Sequence, residues 1–552
     1  MTSCRLVFPL ALCAILLPVC PLAPAQLTQA QIQKPAPDSW PTYHGDYFGR
    51  HYSPLNQISQ ANVKNLSLAW VARMSANTLG AIVGGEGPAP AANAGAGGNG
   101  VSIKSIPLMV NGVLYFSSPD HAWAVDARTG KEIWHYFWKT RGGLHIGNRG
   151  MGMYGNWLYF ETPDDYVISL DAATGKERWH KQIADVKQEY FSTMAPLVIG
   201  NHVIVGMGGD FLDVPGWLES RDPETGEIQW KWYSTPRPGQ PGAESWPDAF
   251  SMEHGGGMPW QPPTYDPDLN LLYVPTGNAN PVFIGDSRKG DNLYTSSIVA
   301  LNPDTGKMVW YFQGSPHDTH DWDATEVPIL FDGNVDGKPR KLLAQAHRNG
   351  MFFVLDRITG KNVLSTQFSE WANWSKGFNA KGQPIPNPEK EPQRAGALVS
   401  PSSNGATNWP APSFSPDTGL FYLHSSSNYA MFYRTDAPGE KVAAYGGNSE
   451  HGVQGFGGAL RAIDPKTGLT KWTHNYPGGA GGAGGLLTTA GQLLFAGDGA
   501  QNIVAHDPLT GKILWHAGLT AGISNAPETY MLDGHQYLLV GAGDSLYSFF
   551  LQ

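Results

Sequence analysis

The stretch Asp126-Ala-Arg-Thr-Gly130, followed by Trp134, decides the fold because the chain repeats it. Each copy has an acid or amide, a short gap, Thr-Gly and then a Trp. Further copies start at Asp171, Asp222, Asn302, Asp464 and Asp507 and end at Trp179, Trp230, Trp310, Trp472 and Trp515. The copy that starts at Asp356 has Leu364 in place of the Trp. A phrase that recurs at intervals of roughly 45 to 55 residues, or longer where loops intervene, indicates stacked supersecondary units.

The phrase itself predicts a tight turn between two strands. An Asp or Asn side chain can bond the backbone two residues on, and Gly accepts a positive φ. Apolar, β-rich segments precede the turns, as at 112–116 and 271–274, with no long helical period between them. A sheet of about 45 residues cannot bury both faces alone, so the units must pack around an axis. We therefore predict an all-β, eight-bladed β-propeller in which the Trp residues dock neighbouring blades.

The two ends of the chain complete this prediction. The turn recurs at Ser415, and Trp70 near the start has the blade-ending Trp without the turn. The C-terminal strand, 536–551, has no partner of its own, so we expect it to close the ring beside an N-terminal segment. Residues 26–552 then form a single propeller domain.

Composition restricts the partners and the compartment. Charged residues make up 15% of the chain, the net charge is −10 and no basic run is present, which argues against nucleic acid. Residues 1–25 are predicted to be a secretory signal peptide, too short in its apolar run to span a membrane, so we expect a periplasmic or secreted protein. All three cysteines (Cys4, Cys13 and Cys20) lie in that peptide, so no C-x-x-C-H haem site is present.

Three loops gather side chains that could carry chemistry. They are 205–210, which ends on Gly208-Gly209-Asp210, then 274–281 with Asn278 and Asn280, and 316–323, which holds three acids and two histidines. Oxygen ligands from separate loops suit a hard cation better than zinc. Taken alone, each loop is explained at least as well by acids that cap turns and histidines that bond backbone.

Residues 40–46 and 50–55 resemble the N-terminal signature of the quinoprotein alcohol dehydrogenases, and the likeness covers almost the whole chain. The Trp phrase is similar to their blade-docking motif, and the three loops fall in the order of that family's metal and catalytic residues. The resemblance implies a secreted eight-bladed propeller that uses pyrroloquinoline quinone (PQQ) beside Ca²⁺ or a lanthanide ion.

The resemblance also implies a role for individual residues. The catalytic base would be Asp321, and the metal ligands would be Asp210, Asn278, Asp321 and Asp323. Trp246 would form the floor under the quinone. The other PQQ-binding residues would be Arg149, Thr162, Gly208, Gly209, Ser245, Arg348 and Asn408.

Several positions depart from the family pattern. Asp210 replaces a longer Glu, the mature chain has no vicinal disulfide, Lys104 lies near the place of an N-terminal Glu, and Ala483 replaces a Trp. The predicted function is oxidation of an alcohol to an aldehyde by hydride transfer to the quinone, with electrons passed to a separate carrier such as a cytochrome c. A sugar or polyol dehydrogenase with the same chemistry and a non-enzymatic secreted propeller scaffold remain as alternatives.

Overall fold

The computed structural model describes residues 27–74, 102–188, 190–208, 213–434, 449–479 and 481–552. Strands dominate, which confirms the all-β prediction. The α-helices are Gln29–Gln33 and Ala249–Glu253, and short 3₁₀ turns occur at Val63–Asn65, Val186–Gln188, Ala243–Ser245, Asp286–Arg288, Pro388–Lys390 and Pro477–Gly479. Within the described residues, none of the helices has the length and apolar character that crossing a membrane requires. The predicted signal peptide lies outside the described residues.

Four antiparallel meanders form the first part of the molecule, and we number them in chain order. Sheet 1 contains Leu108–Val110, Val113–Ser118, His121–Asp126 and Glu132–Phe137. Sheet 2 contains Gly152–Tyr154, Trp157–Glu161, Tyr166–Asp171 and Glu177–Gln182. Sheet 3 contains Leu197–Ile199, His202–Gly206, Trp217–Arg221 and Ile228–Tyr233. Sheet 4 contains Thr264–Asp266, Leu271–Pro275, Ser297–Leu301 and Met308–Gln313.

Four further sheets follow in the described chain, with one small ribbon, Ser375–Phe378 with Pro384–Pro386. Sheet 5 contains Ile329–Val335, Lys338–Ala346, Met351–Asp356 and Asn362–Gln367. Sheet 6 contains Ala397–Val399, Ser413–Ser415, Leu420–Tyr433, Ser449–Ile463 and Thr470–Asn475. Sheet 7 contains Tyr52–Ser53, Gly482–Thr489, Leu493–Asp498, Asn502–His506 and Ile513–Gly518. Sheet 8 contains Leu66–Arg73, Glu528–Leu532, His535–Ala542 and Ser545–Leu551.

Sheet 8 joins the two ends of the described chain. Leu66–Arg73 pairs antiparallel with Ser545–Leu551, with Leu66 opposite Leu551 and Arg73 opposite Ser545. This pairing confirms the prediction that the C-terminal strand is completed by an N-terminal segment. Because this sheet combines a strand from each end of the described chain, the fold depends on contacts between residues that are far apart in sequence.

The turn phrase folds as its side chains predict. In sheet 1 the Asp126 carboxylate accepts the backbone N–H groups of Arg128 at 2.8 Å and Thr129 at 3.1 Å. The Gly130 N–H donates to the Asp126 carbonyl at 2.8 Å, and Gly130 has a φ of 69°. The Asp side chain thus satisfies the inside of the turn, while the Gly allows the left-handed backbone that closes it.

The Trp of one sheet bonds the turn of the next sheet. Trp134 of sheet 1 donates its indole N–H to the Ala172 carbonyl of sheet 2 at 2.9 Å, and Trp310 of sheet 4 donates to Arg357 of sheet 5 at 3.2 Å. The same contact joins Trp230 to Pro303, Trp472 to Pro508, and Trp70 of sheet 8 to Ala127 of sheet 1. The last sheet therefore contacts the first.

The burial of these indoles varies more than the sequence predicts. Trp134 and Trp310 are buried, whereas Trp179, Trp230, Trp472 and Trp515 are half-buried. Each ring belongs to the last strand of its sheet in chain order, where the alternating pattern leaves many side chains open to solvent. The rings of Trp179, Trp230 and Trp472 pack against the turn glycines of the next sheet, whereas Trp515 packs edge-on against Phe549 of sheet 8.

The N-terminal segment 37–53 bonds to seven of the eight sheets. In sheets 6, 7 and 8 the first strand of the antiparallel meander is Ser413–Ser415, Gly482–Thr489 and Glu528–Leu532, and we call these the first strands of their sheets. The backbone carbonyls of the segment accept N–H groups from the first strands of sheets 4 to 8, through Tyr265, Leu330, Phe414, Thr488 and Met531. Trp40 exchanges two backbone bonds with Met109 of sheet 1, and the Tyr47 hydroxyl donates to Val198 of sheet 3 at 2.6 Å. The first strands must therefore converge on this one segment.

We predict that Gly360→Ala destabilises the fold more than Gly419→Ala. Both glycines end the same turn phrase with φ near +69°, so an added Cβ strains the two backbones alike, by about 1 kcal/mol. At Gly360 the Cβ would also lie 2.5 Å from the Trp310 ring, whereas at Gly419 it meets nothing within 4 Å. Overpacking adds about 1–3 kcal/mol to the Gly360 variant. Urea unfolding checks this, and equal losses in the two variants would show that the Trp–Gly contact contributes nothing.

Candidate active site

The loops that lead into the first strands meet at one cavity of about 210 Å³. Residues just before the first strands of sheets 1, 2, 3, 4 and 6 line it, and so does a hairpin of sheet 5. The lining comprises Lys104, Ile146, Gly147, Asn148, Arg149, Phe191, Thr193, Trp260, Arg348, Asn408 and Trp409. Three cations and two indoles therefore face one space, although they come from distant parts of the chain.

Arg149 is held between two indole rings. Its guanidinium carbon lies 4.4 Å from the centre of the Trp260 ring and 5.1 Å from that of Trp409. Its Nη1 donates to the Thr193 hydroxyl at 2.6 Å. The side chain is buried, so these contacts hold a positive charge in a fixed position at the cavity wall.

Arg348 connects the cavity to two acids. Its Nη2 lies 3.0 Å from Oδ2 of Asp323, and its Nη1 donates to the Asp321 carbonyl at 3.1 Å and lies 3.7 Å from the Asp321 carboxylate. The guanidinium carbon is 5.7 Å from the centre of the Trp260 ring. A single cation therefore orients both acids relative to the aromatic wall.

Asp323 is fully buried and accepts several donors. Its Oδ2 accepts the Trp260 indole N–H at 2.9 Å and the Thr325 hydroxyl at 3.2 Å, and its Oδ1 accepts the Asn278 backbone N–H at 2.6 Å. Together with Arg348, these bonds fix the direction of the Trp260 ring. Asp323 therefore holds the Trp260 ring, the Arg348 guanidinium and the Asn278 backbone together.

In the loop 317–323, Asp321 has an unusual backbone conformation. Asp321 has a φ of 68°, a conformation that a non-glycine residue rarely adopts. The neighbouring Asp318 accepts the backbone N–H groups of His320 and Trp322, and the His320 ring stacks on Trp322 at 4.3 Å. Burial raises the pKa of Asp318 and lowers that of His320. Asp318 and His320 therefore stabilise the loop, whereas the Asp321 carboxylate lies 3.7 Å from the Arg348 guanidinium.

Comparison with known proteins identifies the arrangement. The PQQ family model described as "Glucose/ethanol/alcohol dehydrogenase, beta-propeller domain" matches residues 40–387 and 466–538. Quinohemoprotein alcohol dehydrogenase ADH IIB of Pseudomonas putida is 35% identical over 532 residues, which are 91% of this chain and 73% of that protein. Quinoprotein alcohol dehydrogenase PedH of Pseudomonas putida is 34% identical over 90% of this chain and 84% of its own. The chain belongs to this PQQ dehydrogenase family.

Solved structures agree with this assignment. A quinohemoprotein alcohol dehydrogenase, ADHIIG of Pseudomonas putida HK5, superposes with a TM-score of 0.84 at 31% identity, covering 96% of this chain and 82% of that one. A europium-containing methanol dehydrogenase gives a TM-score of 0.83 at 29% identity, covering 95% and 100%. The resemblance to the quinoprotein alcohol dehydrogenases is confirmed, and with it the prediction of a PQQ-dependent oxidoreductase.

The cavity of this quinoprotein suits the chemistry of PQQ, a planar quinone that carries three carboxylates. Guanidinium and ammonium groups bind carboxylates through charge-assisted hydrogen bonds, and indole faces cover planar rings. Lys104, Arg149 and Arg348 supply the cations, and Trp260 and Trp409 supply the aromatic faces. The residues present therefore fit the cofactor of the family.

Three PQQ-binding residues predicted from the sequence line the cavity: Arg149, Arg348 and Asn408. Gly208 lies next to it, since its N–H donates to the Phe191 carbonyl at 2.9 Å. Gly209 and Asp210 lie outside the described residues, so their roles stay predictions.

Trp246 and Ser245, which were predicted as cofactor contacts, do not line this cavity. The Trp246 indole donates to the Leu293 carbonyl at 2.6 Å and packs with Met252 and Ala279, away from the cavity. The Ser245 hydroxyl donates to Gly242 and accepts the Leu293 N–H. The Trp residues that line the cavity are Trp260 and Trp409. Ser245 and Trp246 precede the short helix Ala249–Glu253, whereas Trp260 stands just before the first strand of sheet 4.

Thr162 does not line the cavity either. Its hydroxyl donates to the Asp164 carboxylate at 2.7 Å and accepts the Tyr166 N–H at 3.1 Å, so it closes the central hairpin of sheet 2. The cavity hydroxyl in this region is that of Thr193. The sequence carried one usable signal for Thr193, Trp260 and Trp409, which is their position shortly before a first strand.

The metal prediction depends on oxygen donors beside this cavity. The described residues contain no group of three or more His, Cys, Asp or Glu side chains that could hold an ion. The Asn278 amide nitrogen donates to the Ala279 carbonyl at 3.1 Å, so its amide oxygen is the atom that could ligate a cation. The acid that contacts Asn278 is Asp323, which accepts its backbone N–H at 2.6 Å.

Proposed function

We propose that this chain oxidises primary alcohols to aldehydes with PQQ and a metal ion bound in the cavity. The observation that carries the proposal is the pair of cations, Arg149 and Arg348, beside Trp260 in one cavity, with the Asp321 carboxylate 3.7 Å from Arg348. A propeller that served only as a scaffold would have no need for these groups together.

The residues at this site would have separate roles in cofactor binding and proton transfer. Arg149, Arg348 and Asn408 would hold carboxylate and carbonyl oxygens, and Trp260 would cover one face of the ring system. When bound, PQQ and its metal ion supply a polarised two-electron acceptor. Asp321 would orient the alcohol and take its hydroxyl proton as the hydride leaves carbon.

The ion would be held by oxygen atoms of Asn278, Asp321 and Asp210, with Asp323 as an additional acid. A trivalent ion tolerates one more carboxylate than a divalent ion does, so Asp323 favours a light lanthanide over Ca²⁺. The europium-containing methanol dehydrogenase that superposes on this chain supports the proposal. To ligate the ion, Asp323 would have to share an oxygen with the donors that now bind it.

We predict that La³⁺ activates the wild-type protein more than Ca²⁺ does, and that Asp323→Ala removes most of this advantage. The experiment reconstitutes the protein with PQQ and either ion and measures alcohol-dependent reduction of an artificial dye. Asp323→Asn is the matched variant, since it keeps the shape that supports Trp260 but loses the charge. Full activity with Ca²⁺ in wild type and Asp323→Ala, with no gain from La³⁺, would contradict the lanthanide preference.

The finer architecture and the location belong to the same proposal. The eight sheets would be the blades of one closed propeller, domain 26–552, with Trp70 docking the last blade on the first. The chain would be exported to the periplasm or beyond after loss of residues 1–25. Its electrons would pass to a separate carrier, a cytochrome c, because no C-x-x-C-H site is present in the sequence.

A further inference from the structure

Lys104 is a third cation of the cavity, and the family pattern does not account for it. It precedes the first strand of sheet 1, and its ammonium donates to the Ile146 carbonyl at 2.5 Å. The ammonium lies 5.9 Å from the centre of the Trp409 ring. A Cβ at Gly147 would lie 2.6 Å from the Lys104 Cδ, so a glycine leaves space for the aliphatic stem. The surroundings therefore direct the ammonium to the cavity wall.

The electrostatic surroundings of Lys104 call for an anion. Arg149 and Lys104 both lie near the Trp409 ring, at 5.1 and 5.9 Å from its centre, so two positive charges are close together. Burial, and after it the charge of Arg149, lower the pKa of Lys104. Across the described residues, no carboxylate lies within ion-pair distance of the Lys104 ammonium. An anionic ligand in the cavity would offset this repulsion.

We propose that Lys104 is a cofactor-binding residue whose ammonium pairs with a carboxylate of PQQ, next to the group that Arg149 binds. The inference rests on the proposed function, because it assigns a residue to the cofactor of that reaction. With Lys104, Arg149 and Arg348, the cavity matches three cations to a molecule that bears three carboxylates. The Trp409 ring makes cation–π contacts with both Lys104 and Arg149. Lys104 lies near the place where the family pattern has a Glu, so this cavity wall carries a positive charge instead of a negative one.

The test titrates PQQ into the protein freed of cofactor, with saturating metal ion, and follows tryptophan fluorescence. Lys104→Met keeps the length of the side chain without its charge, and Lys104→Arg restores the charge. Lys466→Met, in an exposed turn, is the matched control. We expect Lys104→Met to raise the Kd for PQQ about 10- to 100-fold and to weaken its salt dependence, with Lys104→Arg close to wild type.

A second ligand separates the effect of the cofactor's charge on binding from the effect of its shape. The trimethyl ester of PQQ lacks the carboxylate charges, so it should bind wild type and Lys104→Met with similar Kd. An unchanged Kd for PQQ in Lys104→Met, or the same loss for PQQ and its ester, would overturn the role of Lys104. Failure of the wild-type protein to bind PQQ at all would instead overturn the proposed function.

Discussion

Asp321→Asn should lower the kcat for alcohol oxidation about 10²- to 10⁴-fold, the range that a positioned general base contributes. The amide keeps the size of the side chain but cannot take the hydroxyl proton. Arg348 would still donate to the backbone carbonyl of residue 321, so the loop should keep its shape. Steady-state dye reduction at saturating metal measures the loss, and fluorescence titration shows whether PQQ still binds.

Asp336→Asn is a suitable control for this experiment. Asp336 also has a positive φ, 50°, but it lies exposed in a hairpin turn of sheet 5. Its variant should retain full kcat. If Asp321→Asn retained activity within a few-fold of wild type while binding PQQ, another group would have to be the base.

Trp260→Ala should weaken PQQ binding about 10²- to 10³-fold. The substitution removes the aromatic face of the cavity, the indole N–H that Asp323 accepts and the ring that packs on Arg149. These losses together correspond to about 3–4 kcal/mol of binding free energy. Fluorescence from the other cavity indole, Trp409, or isothermal calorimetry would give the Kd.

Trp246→Ala provides the matched comparison, because Trp246 and Trp260 are equally buried, at 5% exposure. Trp246 packs on Met252 and Ala279 and bonds Leu293, so its loss should destabilise the fold by about 3–5 kcal/mol. The Kd for PQQ should stay within a few-fold of wild type. The opposite pattern, with PQQ binding lost in Trp246→Ala alone, would restore the assignment that the sequence suggested.

Asp323 connects metal binding with cofactor binding. It is a candidate ligand for the metal ion, and it also bonds the Trp260 indole and the Arg348 guanidinium that face the cofactor cavity. A substitution at Asp323 should therefore change both the choice of ion and the affinity for PQQ. The Asn variant separates the two effects, because it retains an oxygen that can accept the indole N–H.

The repeat could be predicted from the sequence because its determinants are local. The Asp, Thr and Gly of one phrase bond within a few residues of each other, and the Trp follows at a constant distance along the strand. The all-β class and the pairing of the C-terminal strand follow from the count of these units. The copy with Leu364 in place of the Trp also differs in its contact with the next turn. There Gly468 faces Thr366, whereas the equivalent glycines of other sheets face a Trp ring.

Candidate site residues could be named from the sequence where their neighbours along the chain are unusual. Asp321 lies in a loop of three acids and two histidines, and Arg149, Arg348 and Asn408 lie in short polar segments that resemble the family's motifs. Lys104 was visible only as a departure from that pattern. Its significance depends on the distances to Trp409 and Arg149, which the sequence does not contain.

The sequence by itself determined the repeating unit, the all-β class and the family, because these depend on local turn chemistry and short motifs. Only the tertiary structure decided which Trp faces the cavity. Trp246-Pro247 and Pro259-Trp260 look alike in sequence, and packing buries one in a side cluster and places the other against Arg149. Likewise, Asp318, Asp321 and Asp323 are one acidic run in the sequence. Only the structure shows that Asp318 bonds its own loop, whereas Asp321 and Asp323 lie 3.7 and 3.0 Å from the Arg348 guanidinium.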